Sequence, residues 1–166
     1  VVMDNGDIIR SRSIISNAGV FNTVNRLINH NQSNSILSDQ MKNIRQTKSY
    51  VCLHLGLKKS AADLGIKNTN LWIYPDYDHD KVVQNYIDNP QSDFPVVYIS
   101  FPSAKDESWD KKHPNKATIE AITLSRMSWY KKWEHLDWKK RGSDYEEDKE
   151  KLSKRILSVI EKHVEN

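Results

Sequence analysis

Asp76, Asp78 and Asp80 alternate in Asp-Tyr-Asp-His-Asp, the spacing of the first three oxygen ligands of a calcium loop. Such a loop needs Gly at its sixth position and Glu at its twelfth, and this chain has Lys81 and Ile87 there, so the sharp turn and the bidentate ligand are both missing. Acids at a helix N-terminus, favoured by the dipole, account for the run better. The six histidines, His30, His54, His79, His113, His135 and His163, show no His-Glu-x-x-His or comparable spacing, so no metal site is expected. His54 differs in standing inside a strand, where a histidine satisfies a core hydrogen bond or lines a cavity, and the first role is the commoner one. Cys52, the single cysteine, excludes an internal disulfide and reads as a small buried hydrophobe within the run Tyr50 to Leu57. No Gly-x-Ser-x-Gly elbow supports a serine hydrolase. No catalytic residue is assigned.

Gly6, Gly19, Gly56, Gly65 and Gly142 are too far apart for Gly-x-Gly-x-x-Gly or a P-loop, so a nucleotide cofactor would have to be held mainly elsewhere. Lys139-Lys140-Arg141 beside Trp129, Tyr130, Trp133 and Trp138 has the ingredients of a nucleic-acid or membrane contact. Glu134, Asp137 and Asp144 interrupt it, and core aromatics beside a solvated loop are the simpler reading. The overall balance agrees: 25 Lys and Arg against 22 Asp and Glu leave a formal charge of +3, with no dedicated nucleic-acid surface. In 166 residues, 37% are apolar and 28% charged, a rather polar chain whose Trp and Tyr content still argues against disorder. No apolar run approaches the roughly 18 to 20 residues of a membrane span.

The elements that must position these residues follow from periodicity. Val1-Val2-Met3, a turn at Asp4 to Asp7 and Ile8-Ile9 read as a hairpin, followed by Ser13 to Ile15. From Gly19 to about Asn29 the positions Phe21, Val24, Leu27 and Ile28 fall on one helical face, and Ile36, Leu37, Met41 and Ile44 on a second. Four runs have strand character: Tyr50 to Leu57, Leu71 to Tyr74, Val96 to Phe101 and Ala117 to Leu124. A helix is expected over about Asp78 to Ile87, with Val82, Val83, Tyr86 and Ile87 as its apolar stripe. Ser128 is placed to cap a short helix carrying Trp129 and Trp133. Ser143 and Glu146 have capping-box spacing and open a final helix with Leu152, Ile156, Val159, Ile160 and Val164 inward. The irregular order predicts an α+β fold, a mostly antiparallel sheet of about four strands with flanking helices. A strand with nothing before it and a helix still running at Asn166 give the expectation of an internal piece of a longer chain, truncated at both ends.

Four stretches carry a resemblance. They are Asp4-Asn5-Gly6 with Ile14 to Thr23, Phe101-Pro102-Ser103-Ala104-Lys105-Asp106-Glu107-Ser108-Trp109, Ser128-Trp129-Tyr130-Lys131-Lys132-Trp133, and Lys140-Arg141-Gly142-Ser143-Asp144-Tyr145-Glu146. In order and spacing, and most specifically in the second, the chain resembles the retinol saturase branch of the flavin oxidoreductases, which also contains phytoene desaturases and carotenoid isomerases. The resemblance implies residues 1–28 as the edge of an FAD-binding domain and 29–166 as a substrate-binding domain inserted into it, in the flavin amine oxidase manner. It implies FAD in the full-length protein, with NAD(P)H among its electron donors, and no cofactor held by this chain alone.

The implied reaction is reduction, desaturation or isomerisation of a C=C bond in a retinol- or carotenoid-like polyene. The protein would hold the polyene in an apolar tunnel and exclude water. Tyr50, Cys52 and His54, or Trp72 and Tyr74, are alternating positions fit to line it, with Tyr50, His54, Trp72 and Tyr74 the lining residues chosen. By the same resemblance Ser16, Asn17, Ala18 and Gly19 would contact the cofactor, although a tight turn explains them equally well. The Asn-rich segment Asn29 to Lys48 is more polar than the family pattern and leaves the exact substrate open. The implied partners are the polyene and the remainder of the same polypeptide, without nucleic acid, in a cytoplasmic or peripheral-membrane setting. The rivals are a non-catalytic module for apolar ligands and a flavin amine oxidase-like enzyme.

Overall fold

The alternation in Ser49–Leu57 organises the sheet: Val51, Leu53, Leu55 and Leu57 are half-buried, while Tyr50, Cys52, His54 and Gly56 are exposed. The computed structural model describes residues 1–28, 40–44 and 47–164. Its chain divides into two compact units, Val1–Thr47 and Lys48–Asn166.

In the first unit the hairpin forms as a short ladder. Val2 bridges Ile8, the Ile9 amide donates to the Val1 carbonyl at 2.8 Å, and Gly6 turns the chain at φ 88°. Helix α1 (Val20–Asn22) runs directly into a π-helical turn (Thr23–Leu27), and Ile28 is already extended. The helix therefore stops short of Asn29, and of its apolar positions only Val24 is buried. Of the second expected face, Met41 is buried and Ile44 exposed, while Ile36 and Leu37 lie outside the described residues.

The second unit is α+β, its helices being α2 (His79–Asp88), the short α3 (Trp109–Lys112) and α4 (Ser143–His163). Strands β1 (Ser49–Leu57), β2 (Leu71–Ile73), β3 (Val97–Ser100) and β4 (Ala117–Ser125) form one antiparallel sheet in the order β1-β4-β3-β2. Each falls within a residue or two of its expected run, because β-branched and aromatic alternation marks where a strand runs. One face of the sheet meets α4 (Ser143–His163), which lies against β3 and buries Ile156 and Ile160. Val97, Ile99, Phe101, Ile119 and Ala121 complete this core with Tyr86 and Phe94.

Helix α2 (His79–Asp88) begins where the aspartate run predicted. Asp78 is its N-cap, with Oδ1 accepting from the Lys81 amide at 3.1 Å, and Asp76 Oδ1 accepts from the Asp78 amide at 3.2 Å. The stripe places Tyr86 in the core, edge-on to Phe94 and Trp129 with ring centres 5.7 and 5.3 Å away. Arg155 ties α4 to the loop beyond α2. Its guanidinium donates to the carbonyls of Pro90 at 2.7 Å and Ser92 at 2.6 Å, and lies 4.5 Å over the Phe94 ring.

Several local expectations are corrected. The turn from Met127 to Trp133 is a 3₁₀ helix with Arg126 at its N-cap, so Ser128 lies inside it and caps nothing. In α4 the N-cap is Gly142 at φ 87°, a left-handed conformation that suits glycine, and Ser143 is the first helical residue. The capping box is thus displaced by one residue and does not form; Glu146 instead pairs with Lys149 at 2.8 Å. Asp144 in the first turn receives the Trp133 indole N–H at 2.9 Å, which anchors that buried ring. Trp138, expected in the core, is exposed and stacks under the Lys139 ammonium at 4.5 Å, because it follows the 3₁₀ turn and no helical period carries it inward. Cys52 and His54 are likewise exposed: neighbours Val51, Leu53 and Leu55 take the core side, and a strand's period of two turns the residues between them outward.

Candidate functional site

The sheet has a second face, opposite the one that holds the core. Register places Cys52 of β1 beside Ile122 of β4, Ile122 beside Tyr98 of β3, and Tyr98 beside Trp72 of β2. With strands about 4.8 Å apart, this row spans roughly 14 Å. The Trp72 and Tyr98 rings touch, centroids 4.6 Å apart at 55°. Tyr50 lies on the same side of β1, at 67% exposure, and Trp72 at 61%. Two aromatic residues and a half-buried isoleucine thus form an apolar strip on a face that a water-soluble sheet would ordinarily make polar.

Tyr74 follows β2 by one residue. Its ring stacks on His79 at the start of α2, 4.4 Å apart and nearly parallel. Asn70, Leu71, Trp72, Ile73, Tyr74 and His163 line an open groove of about 420 Å³ along the β2 edge.

A polar row runs beside the strip, one side-chain repeat of about 7 Å along the strands. Here His54 faces Glu120 and Glu120 faces Ser100 across the ladder. His54 Nδ1 lies 3.3 Å from Glu120 Oε1, and Cys52 Sγ lies 4.0 Å from the same nitrogen. Lys105 donates to Ser100 Oγ at 3.0 Å and to Asn70 Oδ1. The thiol of Cys52 is pushed above its ordinary value, first by partial burial and then by the Glu120 charge. A Cys-His-acid arrangement for nucleophilic attack is therefore not built here, since thiol and carboxylate share one imidazole nitrogen and the thiolate is disfavoured.

The segment Phe101 to Trp109 holds this face from below. Pro102–Ala104 is a 3₁₀ turn, and the buried Ser103 hydroxyl accepts from the Thr118 amide at 2.9 Å. Asp106 accepts from the Ser108 hydroxyl and amide at 2.7 and 2.8 Å, and these bonds lower its pKa. The Trp109 indole donates to the Lys116 carbonyl at 2.8 Å. The stretch that reads as most specific in the sequence is a self-bonded corner whose product is a fixed Lys105.

Of the expected lining residues, Tyr50, His54 and Trp72 share the open face, and Tyr74 flanks its β2 end. Tyr98, Glu120, Ser100 and Lys105 were missed. Tyr98 and Glu120 had a signal, an aromatic and an acid standing at alternate positions within apolar strands. Ser100 and Lys105 had none, because their meeting depends on the turn between them.

Ser16, Asn17, Ala18 and Gly19 form an exposed turn into α1. Ser16 Oγ is 2.6 Å from Thr23 Oγ1, and the Ala18 carbonyl accepts from Asn22 Nδ2 at 2.9 Å. Gly19 takes φ 82°, so a tight turn is reason enough for that glycine. Among the described residues no group of three or more His, Cys, Asp or Glu could hold a metal.

The chain is 32% identical over 156 residues to an all-trans-retinol 13,14-reductase of Rattus norvegicus and 29% identical over 152 residues to that of Homo sapiens. It is 27% identical over 154 residues to an inactive all-trans-retinol 13,14-reductase of Danio rerio. These matches cover 90%, 89% and 90% of this chain. The chain spans about a quarter of the length of these relatives: 25%, 25% and 26%. No family model and no solved structure matches it. The resemblance seen in the four stretches thus extends along nine-tenths of the chain.

Proposed function

We infer that this chain is a segment of an oxidoreductase of the all-trans-retinol 13,14-reductase kind, supplying the surface that holds a polyene for C=C reduction. The observation that carries this reading is the open aromatic sheet face in a chain similar to such reductases along nearly all its length. Tyr50, Trp72 and Tyr98 offer flat apolar surface, and Ile122 fills the strip between the aromatic ends. A row about 14 Å long suits an extended conjugated chain, which gains dispersion from ring faces without needing polar partners. Tyr74 and His79 would guide the polyene at the β2 end.

FAD is the cofactor this reading implies, and it would supply hydride transfer when bound. The described residues do not build its pyrophosphate cradle: the glycines are dispersed, and the Ser16 hydroxyl is already engaged by Thr23. On this reading residues 29–166 would be the substrate-binding part and 1–28 the edge of the flavin domain, the cofactor being held mainly by the rest of the polypeptide. What this chain contributes is binding, orientation and exclusion of water over the strip. No helix among the described residues is long and apolar enough to cross a membrane, and a cytoplasmic or peripheral-membrane setting fits a substrate drawn from lipid. A binding module without chemistry is the second reading, and the similarity to a relative named inactive favours it.

The test is turnover of all-trans-retinol by the full-length protein under reducing conditions, with the flavin absorbance band read on the same sample. Reduction with bound flavin, and a loss of roughly tenfold in kcat/KM for Trp72→Ala, support the reading. Retinol binding without flavin or turnover supports the second, and oxidation of amines in place of polyenes overturns both.

A further inference from the structure

We propose that Glu120 receives the terminal hydroxyl of the polyene and selects alcohols over polyenes with an apolar end. This inference rests on the reading of the sheet face as the substrate surface and adds what fixes the substrate's register on it. The apolar strip alone would let a chain slide, because ring faces and an isoleucine give no point of attachment. The polar row lies one side-chain repeat away, and Glu120 is its centre. Its side chain is 39% exposed, His54 meets it on one side at 3.3 Å, and Ser100 is its cross-strand neighbour on the other.

The partners leave the carboxylate oriented but not used up. His54 Nδ1 stands 3.3 Å from Oε1, which leaves the second carboxylate oxygen as an acceptor for a ligand O–H. Lys105, bonded to Ser100 and Asn70, puts a positive charge at the Ser100 end of the row. A carboxylate beside an imidazole, with Ser100 as its cross-strand neighbour, suits an alcohol donor and repels a second carboxylate, so the acid derivative of the same polyene is disfavoured. Alcohol at the polar row and polyene along Ile122, Tyr98 and Trp72 place the conjugated chain in one register over the strip. His54 acts as a positioning residue.

The experiment compares equilibrium binding of all-trans-retinol and its methyl ether to the full-length, flavin-loaded protein by tryptophan quenching. Unsubstituted protein is expected to bind the alcohol roughly tenfold to a hundredfold more tightly, the range of one hydrogen bond to a charged acceptor. Glu120→Leu should erase the preference while leaving the ether's affinity intact. Glu120→Gln, which still accepts, should keep part of it. His54→Phe should weaken it in the same direction and His54→Gln restore some, which keeps the proposal testable if Glu120→Leu misfolds. Equal binding of alcohol and ether by the unsubstituted protein overturns the proposal and leaves the substrate surface standing. Binding of neither overturns both, and equal loss of both ligands in Glu120→Leu assigns Glu120 a structural role and overturns the proposal.

Discussion

Cys52 combines an exposed position with a thiol that resists ionisation. Partial burial comes first among the causes and the Glu120 carboxylate second, and both penalise the thiolate. Because the thiolate is the nucleophile, alkylation by iodoacetamide is expected to be slower at neutral pH than for a free cysteine, with its inflection at higher pH. Glu120→Gln removes only the second cause and should speed the reaction without bringing it to the free-cysteine rate. Ser103 is a second residue with a measurable role. Its buried hydroxyl is the acceptor for the Thr118 amide, so Ser103→Ala leaves that N–H without a partner. A loss of about 1–3 kcal/mol in denaturant unfolding is expected. The sequence marked the stretch around Ser103 as specific, yet its hydrogen bonds were hidden there, since they depend on a turn that brings positions 103 and 118 together.

Among the elements, α2 and α4 show where sequence reading succeeds and where it slips. Asp78 was legible as a helix start because its carboxylate sits three residues ahead of the amide it accepts from. The start of α4 was misread by one residue: Ser143 and Glu146 have the right spacing, but the positive φ of Gly142 sets the entry, and no composition rule gives φ. The strands were legible in place but not in face: period two runs the length of β1, whereas β3 and β4 end in consecutive buried residues. What ties α4 to the loop beyond α2 is Arg155, whose planar fork meets two carbonyls and a ring at once. Arg155→Lys keeps the charge but cannot span both carbonyls, so a loss of about 1–3 kcal/mol is expected in thermal or denaturant melts.

At the scale of the molecule, the sheet, its core and α4 all belong to the unit Lys48–Asn166. A chain beginning at Lys48 is therefore expected to unfold cooperatively with a midpoint close to that of the 166-residue chain, a comparison that calorimetry makes directly. The candidate site was half legible. Alternation identified Tyr50, His54 and Trp72 as a set, but which side of the strand faced the core depended on β4, whose own partners the chain order does not reveal. Cys52 and His54 were drawn inward in the reading for the same reason: an apolar run in sequence does not tell its two sides apart until a helix has covered one of them.

Strand β1 pairs with β4 over nine consecutive residues and, among the described residues, with no other strand. It carries no proline, no acid and no lysine to blunt its free side. A ribbon of that length and neutrality is a template for further pairing, so at high concentration the isolated chain would join copies of itself along this border. Adding a Lys at Tyr50, on the water-facing side, would be the simplest remedy for anyone who wishes to keep it monomeric.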